Sequence, residues 1–142
     1  MPEDTSAVLT ERRDGVLLIT LNRPDARNAV NGAVAAGVAA ALDDLDASDD
    51  LVVGVLTGAG KGFSSGMDLK AFTKGERPWV GDRGFAGITQ RASAKPLIAA
   101  VEGFALAGGS RSRSPATSSS PRATRAWASP RPSAGWSRRP AR

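Results

Sequence analysis

The stretch Thr57-Gly58-Ala59-Gly60-Lys61-Gly62-Phe63-Ser64-Ser65-Gly66-Met67-Asp68-Leu69-Lys70 places four glycines within nine residues, directly after the apolar run Leu51 to Leu56. Glycine removes side chains where a backbone must bend with positive φ or let another group approach closely, so the stretch reads as a turn leaving a strand. Asp68 suits the N-cap of a short helix beginning after it, and the last N–H groups of such a turn converge on one point, as an oxyanion requires. A strand-to-helix turn without chemistry is the alternative reading.

Spacing excludes two nucleotide-binding motifs. A P-loop counted back from Gly60-Lys61 puts Val55 at its first glycine and Gly62 where a hydroxyl is needed. The dinucleotide fingerprint places its third glycine on Phe63 or on Ser65. The absence of His and Cys removes the usual general base, thiolate metal ligands and any disulfide framework, so acid–base chemistry would rest on carboxylates and no metal is expected.

In chain order, Ala7 to Arg12 and Val16 to Leu21 read as strands joined by the hairpin turn Asp14-Gly15. A polar loop, Asn22 to Asn28, follows, with Pro24 blocking further strand. Val30, Val34, Val38, Ala41, Leu42 and Leu45 recur at helical spacing and predict an amphipathic helix over Val30 to Ala47. Asp43, Asp44 and Asp46 oppose the dipole at its end, which predicts fraying there. Leu51 to Leu56 reads as a strand buried on both faces. A mobile loop is expected over Ala71 to Asp82, a second helix over Gly84 to Ala94, and a second buried strand over Leu97 to Val101, leading into Glu102-Gly103-Phe104-Ala105-Leu106-Ala107-Gly108-Gly109. Strand, glycine turn and helix occur twice, which argues for an α/β domain with successive crossover units.

With both turns in view the sequence resembles the crotonase family, the enoyl-CoA hydratase/isomerase superfamily. The matching blocks are Leu21-Asn22-Arg23-Pro24 with Asn28-Ala29, the glycine-rich turn from Thr57 to Lys70, and Lys95-Pro96 with Gly103 to Gly109. They stand in family order at family spacing over residues 7 to 109. The resemblance implies a crotonase-like repeated ββα spiral that binds an acyl-CoA thioester, coenzyme A being part of the substrate and no separate cofactor being needed. It implies an oxyanion hole formed by the backbone N–H groups of Met67 and Gly108, a device whose donors are each worth about 3–4 kcal/mol. By the same resemblance Asp68, Leu69 and Lys70 line the CoA side, the Pro24 to Arg27 loop including Ala26 presents backbone to the adenine, and Arg27 or Lys70 meets phosphate; a solvated surface charge is the other reading of each cation. Intact family members form homotrimers or hexamers.

The resemblance stops after Gly109. Residues 1 to 109 hold all 14 acids against 11 Lys plus Arg, a net of −3, whereas residues 110 to 142 hold eight arginines and no acid, a net of +8. The family continues there into an apolar helix with a catalytic glutamate and later a second glutamate in Gly-x-Pro-Glu; Arg111 and Arg131 occupy those places. Five prolines and nine serines among the last 33 residues predict a disordered basic tail.

A shifted reading frame accounts for the tail. GC-rich DNA encoding FEIALACDLIVA, read without its first base, encodes Ser110 to Ser120 and begins the codon of Pro121. DNA encoding LPEAKRGLV likewise gives Ser129 to Trp136, and the unshifted glutamates fall at positions 111 and 131. The expected organisation is thus a truncated acyl-CoA-binding domain over 1–109 and an out-of-frame segment over 110–142.

Water addition to a 2-enoyl-CoA is the ancestral reaction this points to, in a chain lacking both catalytic glutamates. Glu102 is expected to be structural and Asp68 to cap a helix. A non-catalytic CoA-binding fragment is the alternative. An arginine-rich nucleic-acid-binding segment is the less favoured one, because only Trp127 and Trp136 offer stacking and the run begins in mid-motif. The acidic start, Met1-Pro2-Glu3-Asp4, and the lack of a long apolar run predict no membrane partner and a cytoplasmic location.

Overall fold

The computed structural model describes residues 6–90 and 94–106. β1 (Val8–Arg13) turns into β2 (Val16–Leu21) and pairs antiparallel with it, Val8 opposite Leu21 and Arg13 opposite Val16. The connecting Asp14 and Gly15 have φ of 47° and 82°, the left-handed pair whose twist matches a two-residue hairpin. α1 (Gly32–Ala47) then carries the chain across the sheet, so that β3 (Val53–Gly58) lies parallel to β2. β4 (Leu97–Ala99) adds in parallel to β3, giving a mixed sheet in the order β1-β2-β3-β4.

The core lies between this sheet and α1. Leu17, Ile19 and Leu21 alternate inward along β2, and Val34, Val38, Leu42 and Leu45 recur on one stripe of α1; all seven belong to one buried cluster. Burying each such side chain contributes roughly 1.5–3 kcal/mol. No helix among the described residues is long and apolar enough to cross a membrane.

Several boundaries differ from the sequence expectation. α1 begins at Gly32 rather than Val30, because the Asn31 side chain caps it by accepting the Val34 N–H at 3.0 Å and Val30 is drawn into a parallel bridge with Met67. β3 starts at Val53 and alternates, with Gly54 and Leu56 buried and Val53 and Val55 only partly so; Leu51 is buried before the strand and Val52 is 63% exposed. It is therefore a strand with one fully buried face, not two. β4 ends at Ala99, short of Val101.

The helix expected over Gly84 to Ala94 is absent from its described part. Gly84, Ala86 and Gly87 have φ of 79°, 56° and 68°, values outside a right-handed helix; Phe85 bridges antiparallel to Trp79 and residues 86–90 form turns. α2 (Leu69–Thr73) takes the first residues of the loop expected from Ala71 to Asp82. Beyond it, Trp79 packs edge-to-face with Phe72 and Phe85 at centroid distances of 6.2 and 6.0 Å.

The acidic end of α1 is helical to Ala47 and is met by cations from elsewhere in the chain. Arg12 donates to Asp44 at 2.6 Å and to Asp50 at 3.1 Å, and Arg83 donates to Asp43 at 2.8 Å. Lys95 donates to the carbonyl of Leu45 at 2.7 Å and to that of Ser48. Cations from three other segments thus supply what this terminus lacks in its own sequence. The predicted boundary at residue 109 and the segment 110–142 lie outside the described residues.

Gly37 marks where β1 meets α1. Alanine there would gain about 1 kcal/mol of helix propensity, but its Cβ would lie 2.8 Å from Val8 Cβ, and overpacking costs about 1–3 kcal/mol. Gly37→Ala is expected to lower stability by about 1 kcal/mol in a urea melt; a stabilised variant would mean that β1 yields freely.

Candidate functional site

The loop after β2 is shaped by Asn28, a buried residue at 1% exposure. Pro24–Ala26 form a single 3-10 turn, and Arg27 and Asn28 follow in the left-handed region with φ of 53° and 52°. Such backbone costs a non-glycine residue about 1–2 kcal/mol, so it persists only where bonding holds it. The Asn28 side chain accepts the Arg23 N–H at 2.9 Å and donates to the carbonyls of Ala59 and Gly62 at 2.8 and 2.9 Å. One carboxamide therefore joins the polar loop to the glycine-rich turn.

Within that turn Gly62 lies so close to Phe104 that a Cβ would come within 2.5 Å of three ring carbons, and any side chain there would force that ring to move. Its neighbours pair with the segment that follows β4: Phe63 N–H donates to Phe104 O at 2.9 Å, and Leu106 N–H donates to Ser64 O at 3.0 Å. Farther on, Val30 N–H donates to Gly66 O at 2.7 Å and Asp68 N–H donates to Val30 O at 2.9 Å. In a parallel bridge these two bonds flank Met67 and turn its own N–H and C=O away from Val30. Among the described residues nothing accepts the Met67 N–H.

A cavity of about 660 Å³ opens beside this turn and is lined by Ala26, Arg27, Met67, Asp68, Leu69 and Lys70, together with Arg23, Asn31, Lys74 and Glu76 among others. Arg27, Lys70 and Lys74 have no ion-pair partner among the described residues. Asp68 is committed elsewhere. Its carboxylate accepts the Ala71 N–H at 3.0 Å, capping α2, and pairs with Arg23 at 3.0 Å with only 15% of its side chain exposed. The Ala71 N–H, then the Arg23 guanidinium, hold its pKa below the ordinary carboxylate value against the opposing effect of burial.

Six of the seven residues singled out from sequence thus share one cavity. The seventh, Gly108, lies outside the described residues, two positions beyond the Leu106 that pairs with Ser64. Asp68 caps α2 as expected. Glu102 corrects the expectation of a structural acid: it is exposed and has no partner among the described residues. Sequence reasoning missed the organising roles of Arg23, Asn28 and Ser64. The tolerance of Asn for left-handed backbone was the available signal for Asn28; nothing local marked the other two.

A family model described as enoyl-CoA hydratase/isomerase matches residues 11–113. Enoyl-CoA hydratase EchA19 of Mycobacterium tuberculosis is 44% identical over 108 residues, 71% of this chain and 41% of that protein. Mevalonyl-coenzyme A hydratase sidH of Aspergillus fumigatus is 38% identical over 98 residues, 66% of this chain and 36% of the relative. The crystal structure of enoyl-CoA hydratase EchA1 from Mycobacterium marinum superposes with a TM-score of 0.72 at 59% identity, over 74% of this chain and 41% of that one. The chain spans about two fifths of the length of such relatives.

Asp68→Asn keeps a cap but removes the charge opposite Arg23, and is expected to cost about 1–2 kcal/mol at pH 7. Because the folded-state pKa is depressed, the charged form stabilises above the ordinary carboxylate value and loses that advantage as pH falls through the folded value. The gap between thermal melts of the two chains should therefore begin to narrow as pH falls below about 4 and close only below the depressed folded-state value. A gap constant with pH would show that the charge is not responsible.

Proposed function

This chain belongs to the enoyl-CoA hydratase/isomerase family, and from that premise we propose that its cavity binds an acyl-CoA thioester and holds the thioester carbonyl on the backbone N–H groups of Met67 and Gly108. The observation that carries this reading is the uncommitted N–H of Met67, a residue that lines a cavity whose cations Arg27, Lys70 and Lys74 have no ion-pair partner among the described residues. A donor fixed before reaction stabilises a developing enolate oxygen without reorganisation, by about 3–4 kcal/mol. The three cations are placed for the phosphates of coenzyme A, and the Ala26 and Arg27 backbone for its adenine. The depressed pKa and two bonds of Asp68 make it a poor proton carrier, so it shapes the site instead.

Water addition to a 2-enoyl-CoA is the reaction of the lineage in this reading, and the whole fold is the crotonase-like spiral, of which residues 1–109 form the N-terminal part. Hydration needs positioned carboxylates to activate water. Arg111 and Arg131 stand where the family's glutamates belong, so this polypeptide binds the thioester without turning it over. A reading-frame shift at or just after the Gly109 codon is the proposed cause; the family match ending at residue 113 supports it.

Calorimetry with coenzyme A tests the binding. Arg27→Ala and Lys70→Ala should each weaken it about fivefold, roughly 1 kcal/mol, and no binding by the unmodified chain at millimolar concentration would end the reading. Hydration of crotonyl-CoA should be absent here and appear in a chain made from the restored frame. Turnover by this chain comparable with an intact relative would overturn the proposed inactivity, and genomic DNA without a shifted frame encoding an apolar helix after Gly109 would overturn its proposed cause.

A further inference from the structure

From Phe63 to Asp68 every backbone N–H except that of Met67 is bonded. Phe63 and Ser64 donate to Phe104 O, Ser65 donates to Arg27 O at 3.0 Å, and Asp68 donates to Val30 O. The remaining one, Gly66 N–H, finds no carbonyl and donates instead to the Ser64 hydroxyl at 3.1 Å. That hydroxyl is 2.9 Å from the Asn28 carbonyl, to which it gives its only hydrogen. Ser64 is buried at 1% exposure.

We infer that the Ser64 hydroxyl, anchored on the Asn28 carbonyl, is a positioning group that aims the Met67 N–H; the inference rests on the reading of Met67 as a carbonyl donor. The argument is geometric. Gly66 has φ of 94°, a region that glycine enters and leaves readily. The peptide on its far side, which carries the Met67 N–H, is tied through Gly66 O to Val30, and the peptide on its near side is tied only through Ser64. Both ties together lock φ and ψ of Gly66; with one alone the glycine can turn and carry the donor with it.

A hydroxyl is suited to this because it donates and accepts at one atom. With its hydrogen given to Asn28, its lone pairs are left for Gly66. The same residue accepts the Leu106 N–H through its carbonyl, so it also ties this donor to the segment leading to Gly108. Ser64 itself is not among the residues that line the cavity, so its hydroxyl acts on a ligand through the backbone it holds rather than by contact.

The test uses the full chain, its Ser64→Ala and Ser64→Thr variants, coenzyme A, and 4-dimethylaminocinnamoyl-CoA, whose absorption moves to the red when the thioester oxygen accepts hydrogen bonds. Ser64→Ala should keep coenzyme A affinity within about twofold, lose more than about half of the red shift, and speed exchange of the Gly66 amide by about tenfold or more while β2 and β3 amides stay protected. Ser64→Thr should restore the shift. An unchanged red shift in Ser64→Ala overturns the role of Ser64 alone, and so does loss of protection throughout the sheet, which would make Ser64 a general stability element. Failure of the unmodified chain to bind coenzyme A overturns the acyl-CoA reading and the positioning role with it.

Discussion

The carboxamide of Asn28 is the interaction on which the site depends. It satisfies three backbone groups from two segments far apart in sequence, the loop after β2 and the turn after β3. All of its bonds are buried or partly buried, where a donor or acceptor left unpaired would be costly. The positive φ values of Arg27 and Asn28 are held by this constraint, in a loop whose Ala26 and Arg27 line the cavity.

The sheet supplies the frame that makes such precision possible. Parallel pairing of β2, β3 and β4 brings the loops after β2, β3 and β4 to the same sheet edge, since each leaves its strand at the carboxyl end. α1 holds β2 and β3 in place by its apolar stripe, and its acidic end is held in turn by Arg12, Arg83 and Lys95. The exposed ion pairs among these contribute little individually; the ammonium of Lys95 on two helix-terminal carbonyls is the more directional contact.

Much of this was legible in the chain itself. The hairpin at Asp14-Gly15, the stripe of α1 and the Asp68 cap are local matters of turn chemistry, periodicity and capping, and each stands where those rules put it. The misplaced elements are those where a distant partner competed. Val30 left the helix for a bridge with Met67, and the run before β3 divided because Leu51 buried itself while Val52 took the Gly15 carbonyl. Residues 84–90 form no helix because positive φ at Gly84, Ala86 and Gly87 interrupts any helical register. Arg12, Arg83 and Lys95 bring opposing charge from other segments to a helix end whose own sequence argued for fraying.

Sequence alone determined that a glycine-rich turn follows a strand, that a helix starts at Asp68, and that the basic composition begins only after Gly109, because these are properties of neighbouring residues. Tertiary structure decided which N–H between Phe63 and Asp68 remains free. Phe104, Arg27 and Val30 each remove one or more neighbouring donors, and all three come from other parts of the chain. A short-range rule can predict a turn rich in donors, and the resemblance points to Met67 within it; the contacts that occupy its neighbours are the physical reason its donor is left over.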